Sequence, residues 1–360
     1  MIEVKPLTEE TFLDAEQVVR SRFPESAIAI LNKVMRNPMR KVCVEAGDIA
    51  YEDGRPVAFQ ALSGRSMFLG RESFRGNVGG MTVIREGASV EAMIDVRAAA
   101  CKDRIGNKMG FGNTLCKVTE KMSRRAKDTL GPESCCFWCF RVIRPLDFGW
   151  YCFLRKVLKR PVPNWKKFES LTAKSFRCCD GICVVERILS FDPRFDDFWA
   201  RYVQGNEGLV CSRTAEELNW IFGEEVRDGR AVVLGLSEDE KLNGYIILKD
   251  GGGSGRRWQL IDWVALGNDM GRLDALLSAG CRFLRQRTPA MLFESIGFPM
   301  FIQDVIRRHL PFRRFAGNNF FSYGYRKPKT LGKKFAEKCE TVINTEKSWF
   351  FGPYDGDMCM

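Results

Sequence analysis

The feature that most constrains the fold is an order of strands and helices that occurs twice along the 360-residue chain. The first half offers strand-like runs and then a helix beginning near residue 90; its strands are expected at 2–6, 41–51, 56–63, 77–84 and 134–143. After a basic, proline-containing stretch the order repeats, with strands expected at 181–188, 231–236, 243–249 and 257–266 before a helix at 270–287. A chain of this length is usually divided between more than one hydrophobic core. The sequence predicts a duplicated unit of the α/β or α+β class.

Short local signals indicate where turns and helices begin. Asp53 and Gly54 lie between two strand-like runs, which predicts a hairpin. Ser89 precedes a run with helical apolar spacing and is expected to cap that helix. Asp269 is expected to cap the helix at 270–287 with its own carboxylate. A further helix is expected at 115–127.

The positive charge of the chain is local. The formal net charge is +11, from 56 basic and 45 acidic residues. Residues 149–168 and 305–334 together hold 15 basic residues and no acidic one, which leaves 41 basic against 45 acidic residues elsewhere. A phosphate-bearing cofactor, a nucleotide-linked substrate or RNA would fit such stretches, and so would an ordinary solvated basic face.

Fourteen cysteines occur without the regular spacing of a disulfide framework, so buried free thiols are expected. Cys136 and Cys139 have the spacing of zinc ligands, but they fall in a strand-like aromatic run where side chains three apart point to opposite faces. The one histidine, His309, is far away in sequence. The sequence therefore predicts no metal site.

Apolar runs are much shorter than the roughly 20 residues of a membrane span. The first residues also lack the basic start and apolar core of a signal peptide. The expectation is a soluble, cytoplasmic protein with no membrane span; its oligomeric state is left open.

Two segments of the second half resemble bacterial tandem GNAT-type acyltransferases: 191–199 (FDPRFDDFW) and 213–222 (RTAEELNWIF), supported by 243–248, 110–113 and 144–147. The resemblance covers about residues 1–328. It implies two tandem GNAT-like domains, at 1–172 and 173–328, each a twisted mixed β-sheet flanked by helices. The tail, 329–360, is expected to dock on the domains. The helical spacing of Trp199, Trp220 and Phe222 places these rings in the second core.

The resemblance also implies an activity. In such enzymes acyl-CoA enters between the fourth and fifth strands, and backbone amides at a helix N-terminus bind its pyrophosphate. The implied function is an acyl-CoA-dependent N-acyltransferase, with acetyl-CoA or another acyl-CoA as co-substrate and a small or sugar-linked amine as acceptor. Two alternatives stay open: a peptidoglycan-type transferase that takes aminoacyl-tRNA, and a non-catalytic GNAT-like binding protein. The catalytic base and acid are unassigned.

The implied cofactor site lies in the first half. Its candidate residues are strand residues for the pantetheine arm, loop amides for the pyrophosphate, one cation, and an asparagine on the opposite side: Met81, Thr82, Val83, Arg85, Gly87, Ala88, Ser89 and Asn113. The loop departs from the family pattern, because it has one glycine in place of two and carries Glu86 and Glu91, which repel a pyrophosphate. In the second half the carboxylate of Asp269 is expected to occupy the anion position, so the first half is preferred.

Overall fold

The structure is a computed structural model. It describes most of both halves of the chain: residues 1–38, 46–100, 108–112, 115–116, 129–133, 137–160, 176–180, 183–296, 298–315, 319–320, 322–326, 337, 341 and 353–355.

The chain divides into two compact units, each assembled from separate segments. Unit 1 comprises Met1–Ser134, Glu207–Ser212 and Asn318–Met360, and unit 2 comprises Cys135–Asn206 and Arg213–Gly317. This division differs from the continuous ranges 1–172 and 173–328 that the sequence suggests.

Unit 1 is built on one mixed sheet in the order β1-β2-β3-β4-β5-β18-β7, with β11 paired to β3. Where the structure describes this unit, its helices are α1 (Phe12–Arg20), α2 (Ala27–Met35) and α3 (Val90–Ala100). Its strands are β1 (Ile2–Pro6), β2 (Gly47–Glu52), β3 (Arg55–Leu69), β4 (Glu72–Ile84), β5 (Lys108–Gly112), β7 (Thr129–Glu133), β11 (Leu209–Cys211) and β18 (Ser322–Arg326). A separate ribbon pairs β6 (Leu115–Cys116) with β17 (Asn319–Phe320).

Alternation along the strands of unit 1 provides two apolar faces. Ile49 and Phe59 face a core that includes Leu31 of α2 and residues of α1. The neighbouring Ala50 and Ala58 face Ala92 and Val96 of α3. Because successive side chains point to opposite faces of a strand, the helices cover both sides of the sheet.

The expected hairpin is present in unit 1. Asp53 and Gly54, between β2 and β3, have φ values of 47° and 77°. Positive φ at both central residues is the geometry that a two-residue hairpin turn requires, and Gly54 adopts it without strain. The expected helix at 115–127 is not observed at its start, because residues 115–116 form β6; the remainder of that prediction, 117–127, lies outside the described residues.

Unit 2 contains a second mixed sheet, in the order β16-β8-β15-β14-β13-β12-β10-β9. Its helices are α4 (Pro145–Cys152), extended by a π-helical turn (Phe153–Val157), α5 (Pro193–Gly205), α6 (Ala215–Arg227), α7 (Met270–Arg287) and α8 (Gln303–His309). Its strands are β8 (Phe137–Val142), β9 (Arg177–Asp180), β10 (Cys183–Ile188), β12 (Ala231–Glu238), β13 (Lys241–Asp250), β14 (Arg257–Ala265), β15 (Leu292–Ser295) and β16 (Phe312–Phe315).

Helices cover both faces of this sheet as well. Phe195 and Phe198 of α5 place their ring centroids 5.3 and 5.6 Å from that of Tyr245. On the other face Gly280 of α7 lies so close to the sheet that an added Cβ would be 2.8 Å from a methyl of Ile246. The glycine therefore sets how near the helix approaches.

Two of the three aromatic residues expected in the second core are buried. Trp199 and Phe222 are 5% and 0% exposed. Trp220 is only half-buried. It lies on α6 opposite the side formed by Leu218 and Ile221, so helical geometry turns it away from the core.

Each sheet includes a strand from a distant part of the chain. β18 lies between β5 and β7 in the sheet of unit 1. β8 lies between β15 and β16 in the sheet of unit 2. Strand order along the sequence does not encode these pairings, since long-range partners are chosen by packing.

Candidate functional site

Strands β4 and β5 of unit 1 share a short parallel pairing. Among the described residues their register joins Arg75–Val78 to Lys108–Phe111. β4 continues to Ile84 and stays paired with β3 on its other side. Between residue 79 and Ile84, β4 therefore has no strand partner on its β5 side among the described residues. A strand edge left open in this way offers backbone amides and carbonyls to a ligand.

A β-bulge lies in β4 just beyond this pairing. Gln60 is opposite Thr82 and Leu62 is opposite residue 79, so two residues of β4 face one residue of β3. The buried amide of Gln60 donates to the carbonyls of Gly80 and of Ala61, the latter at 3.0 Å. The Thr82 hydroxyl donates to Gln60 Oε1. Gln60 thus fixes the bulge, and sequence reasoning did not single it out.

The end of β4 keeps part of its surface accessible. Met81, Thr82 and Ile84 are half-buried, while Val83 is 3% exposed. Met81 and Val83 pack toward the core under α1 and α2, and Ile84 toward the cluster under α3. A ligand lying along this edge would reach both backbone and side-chain surface.

The loop after β4 leads into the N-terminus of α3. Gly87 has φ +83°, and the Ala88 amide donates to the Arg85 carbonyl at 3.2 Å. The Ser89 hydroxyl accepts from the Ala92 amide at 3.1 Å, which confirms the expected cap. The Gly87 amide has no protein acceptor among the described residues. Of the three candidate pyrophosphate donors, one is thus engaged within the loop and one is open.

A carboxylate already accepts from the third donor, the Ser89 amide. The Ser89 amide donates to Glu52 Oε2 at 3.4 Å. Glu52 comes from the hairpin between β2 and β3, so a side chain from another strand provides the anion that a helix N-terminus favours. Arg85 directs Nη1 to the Pro56 carbonyl at 3.2 Å. Sequence reasoning weighed Glu86 and missed Glu52; Asn113 lies outside the described residues.

In unit 2, β14 also continues beyond a short parallel pairing, and there it is buried. β14 pairs with β15 over Arg257–Gln259 among the described residues, and a bulge follows near Ile261. Every residue from 260 to 265 is buried. The Trp263 indole donates to the Leu273 carbonyl at 3.0 Å, inside the unit.

A buried ion pair lies on this stretch of β14. Asp262 accepts from Arg213 Nε at 3.0 Å and from the Tyr245 hydroxyl at 2.8 Å, and all three residues are 0% exposed. Groups so enclosed satisfy one another and are out of a substrate's reach. At the following helix, Asp269 Oδ1 accepts from the Arg272 amide at 2.8 Å, which confirms the expected cap.

Unit 2 also has a basic cavity of about 740 Å³ beside α7, with Arg141, Arg282, Arg285 and His309 among its lining residues. Cys281 lies in the same wall, and burial raises the pKa of its thiol to about 11, an effect that Arg141 only partly offsets. The thiol is therefore protonated at neutral pH and is a poor nucleophile there.

The described residues offer no group of three or more histidine, cysteine or acidic side chains placed to hold a metal ion. In the same part of the chain, every helix is too short or too polar to cross a bilayer.

Comparison with solved structures identifies the fold. No family model and no curated protein matches the sequence. Among solved structures, a GCN5-related N-acetyltransferase from Anabaena variabilis matches with a TM-score of 0.52 and 12% identity, covering 91% of this chain and 72% of that one. This is the GNAT fold. A Kribbella flavida GCN5-related N-acetyltransferase matches at a TM-score of 0.51, with 12% identity and coverage of 91% and 71%.

The GNAT fold of this chain is also similar to Saccharomyces cerevisiae N-myristoyltransferase with bound myristoyl-CoA and inhibitors. That match has a TM-score of 0.50, 11% identity, and coverage of 91% of this chain and 81% of the other. At such identities the shared property is the fold, and site residues have to be argued from the geometry of this chain.

Proposed function

We propose that the chain is an acyl-CoA-dependent N-acyltransferase, built from two tandem GNAT-like domains, whose acyl-CoA lies in unit 1. The observation that carries the proposal is that β4 continues beyond its described pairing with β5, past a bulge and up to a helix N-terminus. The corresponding stretch of β14 in unit 2 is buried. Similar solved structures include N-acetyltransferases and an N-myristoyltransferase with acyl-CoA bound.

In this proposal the pantetheine arm pairs with the backbone of Met81, Thr82 and Val83. The pyrophosphate lies over the amides of the loop at Gly87 and Ser89, where the helix dipole favours an anion. The open edge then presents the thioester to an acceptor amine, small or sugar-linked, which attacks the acyl carbon as the thiolate leaves. Asn113 is proposed to contact the co-substrate from the other side.

The loop and the bulge beside it have defined roles in this arrangement. Gln60 keeps the bulge of β4 in one register, so the backbone donors are positioned before the ligand arrives. Arg85 is the cation that the loop itself supplies, and it offsets Glu86 and Glu91. The Glu52 carboxylate lies against the Ser89 amide and repels a pyrophosphate that binds there.

A thermal-shift screen against acetyl-CoA, longer acyl-CoAs and tRNA tests the proposal. A ligand present at about a hundred times its dissociation constant adds about 2.7 kcal/mol of apparent stability. We expect acyl-CoA to stabilise the protein, and release of free CoA thiol on adding amines then identifies the acceptor. Stabilisation by tRNA alone would favour an aminoacyl-tRNA-dependent transferase.

A second candidate function has one specific observation in its favour. Because the Glu52 carboxylate already satisfies the Ser89 amide, the loop is stable without a pyrophosphate. That arrangement also suits a non-catalytic GNAT-like binding protein. Absence of stabilisation by every acyl-CoA and by tRNA would favour this reading.

A further inference from the structure

Helix α4 and its π-helical turn expose a continuous apolar stripe. Leu146, Trp150, Phe153 and Val157 are 89%, 51%, 41% and 64% exposed. Their spacing of four, three and four residues places them on one side of a helix. Leu154, on a different side, is 8% exposed and anchors the helix to its unit. The stripe therefore faces away from the core.

The stripe is unusual for this molecule. The described residues include 13 strongly exposed large apolar side chains, and five of them fall within residues 146–158. Exposed apolar side chains on a monomer are usually scattered singly, and a contiguous set marks a surface that contacts something. The Trp150 and Phe153 rings stack with centroids 5.6 Å apart, so two of the side chains form one flat aromatic patch.

Positive charge surrounds the C-terminal end of this stripe. Arg155, Lys156, Lys159 and Arg160 are all exposed. The one acidic residue between 145 and 160 is Asp147, at the other end of the helix. A second copy of the chain docking through the same face would bring like charges together, which disfavours self-association.

We propose that α4 and its π-helical turn bind the surface of an anionic lipid bilayer. Aliphatic and aromatic side chains on one side of such a helix enter the boundary between headgroups and acyl chains, while lysine and arginine extend to anionic headgroups. The binding is peripheral and reversible. It stands apart from the proposed acyl transfer and would hold for a non-catalytic protein as well.

Co-sedimentation of the full chain with vesicles tests this inference. The vesicles are phosphatidylcholine alone and phosphatidylcholine mixed with phosphatidylglycerol. We expect binding to the anionic vesicles only, and weaker binding as salt rises. Each of Lys156→Gln and Lys159→Gln should weaken binding about fivefold, since each removes one charge near the surface. Arg227→Gln, an exposed charge on α6, is the matched control and should change nothing.

The apolar stripe is tested in the same assay. Phe153→Ser should weaken vesicle binding by about tenfold through lost apolar burial, whereas Leu189→Ser, which changes an exposed apolar residue elsewhere in unit 2, should leave it intact. Because all these positions are exposed, the variants are expected to fold, and thermal unfolding checks this.

Three outcomes would overturn the inference: absence of binding to anionic vesicles, binding unaffected by Phe153→Ser, or a concentration-dependent dimer that Phe153→Ser abolishes. The last would show that a second copy covers the stripe.

Discussion

Replacing Glu52 by glutamine should strengthen acyl-CoA binding. Glu52 Oε2 is 3.4 Å from the Ser89 amide nitrogen. A phosphate oxygen accepting from that amide would lie about 3 Å from the nitrogen. The ligand charge would then be about 5 Å from the carboxylate, a repulsion of about 0.8 kcal/mol at the dielectric constant of water and about 3 kcal/mol at an effective value of 20.

Glu52 is half-buried, so an intermediate value applies. We expect Glu52→Gln to improve the affinity by about 1–2 kcal/mol, which is roughly five- to thirtyfold. The glutamine keeps the shape of the side chain, and its carbonyl oxygen can still accept from Ser89. The gain should shrink at high salt, because screening weakens the original repulsion.

Isothermal titration with acetyl-CoA measures this change. Glu10→Gln, an exposed acid in the turn before α1, removes the same charge and is the matched control. Thermal unfolding of each variant verifies that the folded protein is being titrated. An unchanged or lower affinity in Glu52→Gln, with acetyl-CoA still bound, would show that the pyrophosphate does not lie at the N-terminus of α3.

Three further predictions concern the loop, the core and a thiol. Arg85→Glu should weaken acetyl-CoA binding by about 1–3 kcal/mol, and Glu91→Gln should strengthen it modestly; titration that detects neither change contradicts the role assigned to this loop. Asp262→Asn should lower the free energy of unfolding by about 3–5 kcal/mol, because it leaves the buried Arg213 charge without its counterion; a loss under about 1 kcal/mol in urea unfolding would refute that reason. The Cys281 thiol, with a pKa raised to about 11 by burial, should react slowly with iodoacetamide at neutral pH and faster as the pH rises toward that value; a rate that is already maximal at neutral pH would contradict the shift.

Features with local causes were predictable from the sequence. The hairpin at Asp53 and Gly54 follows from two turn residues between strand-like runs. The caps at Ser89 and Asp269 follow from a short polar side chain placed before a helical apolar pattern. Phe222 is buried as its helical position indicates. For the turn and the two caps the decisive contact lies within a few residues along the chain.

The missed features depend on distant contacts. Glu52 and Ser89 are 37 residues apart, and Gln60 and Gly80 are 20 apart, so the register between strands brings these groups together. The positions of β8 and β18 likewise depend on pairing with strands that are distant in the sequence. The composition of a strand does not specify its partner. The contact of Glu52 with the loop therefore could not be predicted from the sequence.

Hydrogen exchange of the full chain with and without acetyl-CoA tests the central claim most directly. Acyl-CoA along β4 should slow exchange at those amides of residues 81–83 that point to the open edge and in the loop from Gly87 to Ser89, because the ligand covers an open strand edge and a helix N-terminus. The buried strand at 260–265 of unit 2 should show no such local effect. Protection confined to β14 and the N-terminus of α7, with β4 unchanged, would place the ligand in unit 2 and contradict the account.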